Sequence, residues 1–292
     1  MCELLGMSAS YEVDLDTSLS LLRPRGGEIC ANADGWGVAH YEGNAARVLK
    51  EAKPASRSPL FAALRSRDFA SHTVLAHVRK ANPTAIGRQF SNTHPFEREL
   101  SGRSWVFAHN GRLPGIEDQP LIGFRPIGAT DSEHAFCTLL DTARDYLSED
   151  GAITDVGLML GRLARKVSTI NEYGEFNFLL SNGEDLIVHA HTYLHAVERQ
   201  CRVEENEQTV VLIATHPLTD DEAWACLLPN SLSIFRNGKL IAQQSTDGQA
   251  SDDAWQRQRC EAEVVTQLRH EAEARWMKLR PDLDDGMYYE SG

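Results

Sequence analysis

Met1-Cys2-Glu3-Leu4-Leu5-Gly6-Met7 opens the chain, and the rest of the sequence is read outward from it. If the initiator methionine is trimmed, Cys2 becomes the terminus and carries a thiol and a free α-amine on one residue. An α-amine titrates near pH ~8 and a free thiol near ~8.5, so the two can exchange protons at neutral pH and act as a nucleophile with its own base. On these residues alone the plainer reading, an ordinary small residue in an arbitrary place, is the stronger one. The apolar residues that follow are expected to form a short buried strand from Cys2 to Met7.

Length and charge bound what Cys2 could belong to. The 292 residues suffice for one large domain with a terminal extension, expected as a body over residues 2–245 and a linker with a charged helix over 246–292. Hydrophobic residues make up 42% and charged residues 24%, the balance of a water-exposed globular chain, and no apolar run is long enough to cross a bilayer. The start lacks the basic flank and apolar core of a secretory signal and soon turns acidic at Glu12, Asp14 and Asp16, so the mature terminus is expected to be the written one. A net charge of -13 argues against a nucleic-acid footprint. The six cysteines, Cys2, Cys30, Cys137, Cys201, Cys226 and Cys260, form no close pair, which disfavours a zinc site or a disulfide framework and fits a reducing cytoplasm.

Along the chain, Asp16 to Arg23 reads as a short helix or loop stopped by Pro24. The glycine-rich segment Asn32-Ala33-Asp34-Gly35-Trp36-Gly37 feeds an alternating strand, and Glu42-Gly43-Asn44 turns it into a hairpin. Pro59 to Arg65 suits a short helix. Thr73 to Val78 is a β-rich run that delivers Arg79 at its end, and Trp105 to His109 is a second run, expected to stop at Asn110-Gly111 with exposed backbone amides. Thr130 is placed as a helix N-cap with Glu133 in the capping-box position, and Phe136, Leu139, Leu140, Ala143 and Leu147 recur at helical spacing. A second helix carries Val156, Leu160, Leu163, Val167 and Ile170. From Glu175 the period becomes that of strands, turning at Asn182-Gly183 and Asn237-Gly238, and reads as a meander. Beyond Ser245 a polar linker precedes a charged helix opened by Ser251 and stopped by Pro281.

Nucleotide-binding loops of the GxxxxGK[ST] and GxGxxG kinds are absent, as are a GxSxG elbow and HExxH, so no cofactor is expected. His189, His191 and His195 invite a metal reading, but no carboxylate or cysteine completes a ligand set, and no metal is expected there.

Met-Cys-Glu-Leu-Leu-Gly at the start, Asp34-Gly35-Trp36-Gly37, Asn92-Thr93-His94-Pro95-Phe96 and Phe107-Ala108-His109-Asn110-Gly111, in this order, resemble the class II glutamine amidotransferases. These are N-terminal-nucleophile hydrolases, and the likeness is strongest to stand-alone members. The resemblance covers about residues 2–245 and reverses the reading of Cys2. It implies an α+β, four-layer αββα sandwich of two mainly antiparallel sheets, with the helices starting near Asp131 and Asp155 on one outer face.

The resemblance also implies roles. Cys2 would attack a γ-carboxamide carbon, its own α-amine taking the thiol proton through a water, to give a γ-glutamyl thioester. The side-chain amide of Asn110 and the backbone N–H of Gly111 would hold the oxyanion. Arg79 would clamp the substrate's α-carboxylate and Asp131 its α-ammonium, while His94 falls where the family has a histidine near the site; a histidine that merely hydrogen-bonds its loop reads equally well there. Lys80, Asn82 and Pro83 depart from the pattern of glucosamine-phosphate synthase, where a Trp and a Thr-His pair stand, so the far side of the pocket differs. The 246–292 tail, read as one charged helix with a linker, is too small to be the expected synthase half. The chain reads either as a self-sufficient hydrolase of γ-glutamyl amides or as a glutaminase subunit delivering ammonia to a separate synthase partner. A non-catalytic binding module of the same fold is a third reading, which the joint presence of Cys2, Arg79, Asn110, Gly111 and Asp131 disfavours. The expected ligand is a small molecule, glutamine or a γ-glutamyl compound; the tail helix leaves a homodimer open.

Overall fold

The protein is described by a computed structural model over residues 2–13, 16–64, 70–81, 88–203 and 206–247. Its first strand, β1 (Glu3–Val13), is longer than the short run read from Cys2 to Met7 and lies at the middle of a sheet. The sheet has seven strands in the order β11-β9-β10-β1-β4-β2-β3, built from β2 (Gly35–Glu42), β3 (Ala45–Glu51), β4 (Ser71–Arg79), β9 (His195–Val203), β10 (Asn206–Ala214) and β11 (Ala225–Cys226). The second sheet has six, β13-β12-β8-β7-β6-β5, from β5 (Phe96–Leu100), β6 (Arg103–Arg112), β7 (Glu175–Ser181), β8 (Asp185–Ala190), β12 (Ser231–Arg236) and β13 (Lys239–Ser245). The strand pairs are antiparallel, as between β1 and both of its neighbours.

Because successive strand residues point to opposite faces, β1 supplies two cores at once. Leu4 packs between the sheets with Leu75, Ala39, Val106, Leu179 and Val188. Leu5 and Met7 face outward, under α1 (Asp16–Leu22) and α2 (Pro59–Ala63), with Leu19, Leu22 and Phe61. The outer face of the six-stranded sheet is covered by α3 (Asp131–Ala143) and α4 (Val156–Asn171), whose Phe136, Leu140, Leu160 and Val167 pack on Phe107, Phe176 and Phe178. The result is the expected αββα sandwich. Two of its layers are helical because both sheets carry apolar residues on both faces, and each fully buried side chain of this size contributes about 1.5–3 kcal/mol only if it is covered.

Three local expectations change. The run ending at His109 does not stop there: β6 continues through Arg112, with Asn110 paired to Asn177 and Gly111 to Phe176. A Cβ on Gly111 would stand 1.9 Å from the Glu175 carbonyl oxygen, so glycine is what lets the strands close at this point. The strands after Glu175 are not one meander. Their hairpins alternate between sheets, β7–β8 in one, β9–β10 in the other and β12–β13 back in the first. At α3, Thr130 caps the Glu133 N–H as expected at 3.2 Å. The Glu133 carboxylate, however, turns to the N–H groups of Ile127 and Gly128 and to Arg98 instead of completing a capping box. The charged helix read after Ser251 lies outside the described residues.

Candidate active site

The site gathers where the start of β1 meets the end of β4. Cys2 is half-buried, and its Sγ accepts the main-chain N–H of Lys80 at 3.2 Å. Burial pushes the thiol up from its ordinary range, and the Lys80 N–H and the Arg79 guanidinium pull the other way without reversing it. The resting sulfur is therefore a neutral thiol that needs a base.

Arg79, the last residue of β4, is 4% exposed, and its ordinary pKa is drawn down by burial against the opposing fields of Cys2, Asp34 and Asp131. A guanidinium stays charged at neutral pH all the same. The bend that follows is held by Asp34 of the Asp-Gly-Trp-Gly segment. Its N–H donates to the Arg79 carbonyl at 2.9 Å, Oδ2 accepts the Ala81 N–H at 2.8 Å, and Oδ1 accepts from Arg88 at 2.8 Å. Burial alone would raise the Asp34 pKa, but these hydrogen bonds and the nearby arginines hold it below the usual carboxylate value. Asp34 thus fixes the residues on both sides of the Lys80 amide. Sequence reading singled out its segment for glycine geometry and missed this clamp. Asn82 and Pro83 lie outside the described residues.

The glycines of the same segment make room for the Asn-Thr-His-Pro-Phe loop. A Cβ on Gly37 would lie 2.3 Å from the His94 carbonyl oxygen and 2.6 Å from Pro95 Cδ, so the loop rests directly on β2. His94 itself points inward, 4% exposed, within the field of Arg79. Its ring lies tilted against His77 with centroids 4.4 Å apart and against Phe96 at 4.5 Å, and among the described residues neither His77 nor His94 makes a well-aligned ring hydrogen bond. Burial keeps both rings neutral, that of His77 lowered to about 3. Lys50 closes the loop from outside, donating to the carbonyls of Thr93 at 2.7 Å and Pro95 at 3.1 Å, and burial lowers its pKa to about 8.

Asn110 and Gly111 sit near the end of β6, where the second sheet faces β1. Asn110 is 4% exposed, and its side-chain amide nitrogen lies 3.4 Å from Thr215 Oγ1, a residue the sequence reading passed over. Asp131 begins α3, where a carboxylate suits the positive end of the helix. Its Oδ2 accepts the Leu113 N–H at 2.7 Å and its Oδ1 the Ser132 N–H at 2.7 Å, so the carboxylate also ties the end of β6 to α3. Beside it opens a pocket of about 460 Å³ lined by Arg112, Leu113, Pro114, Thr130, Asp131 and His134 among others; Cys2 and Arg79 do not line it.

His189 and His195, both in strands, and His191, just past β8, are satisfied by the protein. His189 lies 2.6 Å from the Phe176 carbonyl and 3.0 Å from Thr246, His191 accepts the Phe176 N–H at 3.1 Å, and His195 meets the Thr215 carbonyl at 2.9 Å. Among the described residues no group of three or more His, Cys, Asp or Glu could hold a metal ion, and no helix is long and apolar enough to cross a membrane.

A four-layer sandwich of two antiparallel sheets between helical layers, with Cys2 at the start of a central strand beside the end of its neighbour, has the fold of the N-terminal-nucleophile type of glutamine amidotransferase. The family of class-II glutamine amidotransferases matches residues 1–205 and 201–259, and the chain belongs to it. It is 36% identical over 259 residues to the Escherichia coli K12 protein YafJ, a proposed glutamine amidotransferase, covering 82% of this chain and all of that one. The crystal structure of a predicted glutamine amidotransferase from Pseudomonas aeruginosa PA01 superposes with a TM-score of 0.61 at 32% identity, over 82% of this chain and 100% of that chain. A gamma-glutamyl-hercynylcysteine sulfoxide hydrolase of Mycobacterium tuberculosis is 27% identical over 195 residues, 66% of this chain and 71% of that one.

Proposed function

We propose that the protein hydrolyses a γ-glutamyl amide bond through a thioester on Cys2, releasing glutamate and an amine. The observation that carries this reading is the placement of the Cys2 sulfur, held by the Lys80 N–H at 3.2 Å at the end of the strand that delivers Arg79. In the proposed sequence the α-amine of a trimmed Cys2 takes the thiol proton through a water, and the sulfur adds to the γ-carbonyl carbon. The Asn110 amide and the Gly111 N–H donate hydrogen bonds to the oxygen on which negative charge develops. Loss of one such donor costs about 2.7–4 kcal/mol of the barrier. The amine leaves with a proton returned by the same α-amine, and water then cleaves the thioester. Arg79 and Asp131 bind the carboxylate and ammonium of the glutamyl head, which every γ-glutamyl substrate shares.

The similarity to a hydrolase whose name specifies a γ-glutamyl compound favours substrates with a leaving group larger than ammonia. Steady-state hydrolysis of glutamine, glutathione and a γ-glutamyl anilide tests the reading. Turnover of at least one, with a γ-glutamyl adduct visible by intact mass after acid quenching and absent from Cys2→Ala, is the expected result. Absence of turnover and adduct with all three would sink it. Turnover of glutamine alone would favour the ammonia-supplying subunit.

A further inference from the structure

Thr215 follows directly on β10, is 0% exposed, and touches both halves of the site. Its Oγ1 accepts the Leu4 N–H from the nucleophile's strand at 3.0 Å and the Asn110 side-chain N–H at 3.4 Å. Its backbone is held as well, the N–H donating to the Leu4 carbonyl at 3.2 Å and the carbonyl meeting His195 Nδ1 at 2.9 Å. The hydroxyl therefore occupies a fixed point two residues from Cys2 and in reach of the Asn110 amide.

Resting on the reading above, we infer that Thr215 is a positioning residue, which anchors the Asn110 carboxamide to the strand that carries the nucleophile. A hydroxyl both accepts and donates, so what it fixes is the place of the carboxamide and its distance from β1. Oγ1 takes the Leu4 N–H and one Asn110 side-chain N–H together, and the second N–H of the same amide is left for the anion. The anchor is exact enough for this because the Leu4 N–H ties the same hydroxyl to the strand that carries the nucleophile, so donor and nucleophile move as one body.

The test compares Thr215→Val, which removes the hydroxyl, with Thr215→Ser, which keeps it, in the full chain. The valine variant should lose about 10- to 100-fold in kcat with KM within about threefold, and serine should restore most of the loss, because the place of the amide matters chiefly when charge develops. Combined with Asn110→Ala, the valine change should add less than about threefold to the loss from Asn110→Ala alone, since both remove one interaction. Multiplying losses, or a valine variant with unchanged kcat, would overturn the inference. A second readout does not depend on activity. In protein labelled with nitrogen-15 at asparagine side chains, the Asn110 amide pair, identified by its disappearance in Asn110→Ala, should move in Thr215→Val and return in Thr215→Ser. An unmoved pair would overturn the inference even if no γ-glutamyl substrate were turned over. Should the valine variant fail to fold, Thr215→Ala, which leaves space for a water at the Leu4 N–H, carries the same comparison.

Discussion

The main-chain N–H of Lys80 reaches the sulfur of Cys2 across 3.2 Å, although 78 residues separate them in sequence. The contact exists because β1 and β4 are antiparallel neighbours with Leu4 opposite His77 and Glu3 opposite Val78, which brings the beginning of one strand to the end of the other. Asp34, holding the Ala81 N–H at 2.8 Å, sets the direction of the Lys80 amide between them.

Asp34→Ala should therefore lower kcat by about tenfold, the effect of losing a partly buried, charge-assisted hydrogen bond of about 1.5 kcal/mol. Arg88→Ala is the control, because Arg88 is a largely exposed partner of the same carboxylate. Exposed ion pairs contribute about 0–1 kcal/mol, so its effect on kcat should stay within about fivefold. Steady-state kinetics of the two variants side by side decide it: equal losses would mean that the ion pair, and not the bond to Ala81, carries the role of Asp34.

Processing gives a second prediction. Intact-mass measurement of active protein should show Met1 missing, and a retained N-terminal tag should abolish turnover, because an amide nitrogen cannot take the thiol proton. Ligand binding should survive the tag where it leaves the pocket open. Full activity with Met1 in place would rule out the α-amine as base.

Acid should destabilise the fold well before the carboxylates titrate. His77 and His189 are fully buried and held neutral, each lowered to about 3, whereas in the unfolded chain each protonates near 6.5. Below 6.5 the unfolded state binds more protons than the native one, so the stability these groups permit is complete above 6.5 and falls as pH falls through the window down to about 3. At pH 5 the loss is about 2 kcal/mol for each ring, or about 4 kcal/mol together. Urea unfolding at pH 7 and pH 5 reads this directly, and a midpoint unchanged between them would contradict the neutral burial of these histidines.

Much of this arrangement was legible in the sequence, and what was not has a common cause. The strand runs ending at Arg79 and leading to Asn110-Gly111 could be read because apolar periodicity and glycine chemistry are local. The Thr130 cap was visible for the same reason. Asp34 and Thr215 act through hydrogen bonds spanning 47 and 105 or more residues, and nothing around either position marks the partner. The alternation of the later hairpins between sheets escaped notice similarly: each hairpin announces its own turn but not the sheet it joins. The placement of Glu133 was misread because the capping-box pattern is local, whereas Arg98 reaches it from β5.

At Asp131 the proposed substrate binding can be separated from fold maintenance by experiment. Each of its two oxygens already accepts a main-chain N–H, from Leu113 and from Ser132, both at 2.7 Å, so the carboxylate helps hold α3 to β6 whether or not a substrate is present. Asparagine keeps one acceptor and loses the charge. A partly exposed site lies between the ~0–1 kcal/mol of surface pairs and the ~3–5 kcal/mol of buried ones, so Asp131→Asn should cost about 2 kcal/mol in kcat/KM, roughly 30-fold, for any substrate with a free γ-glutamyl head. The loss should be equal for glutamine, glutathione and a γ-glutamyl anilide, because the head group is common and only the leaving amine differs. Melting temperature should fall as well, through the Leu113 and Ser132 contacts, but that change is independent of substrate. The decisive comparison is Asp131→Asn with Asp131→Ser, which removes the charge and shortens the side chain. If both melt lower than wild type while all three specificity constants stay unchanged, Asp131 serves the helix terminus alone and the ammonium of the substrate is bound elsewhere.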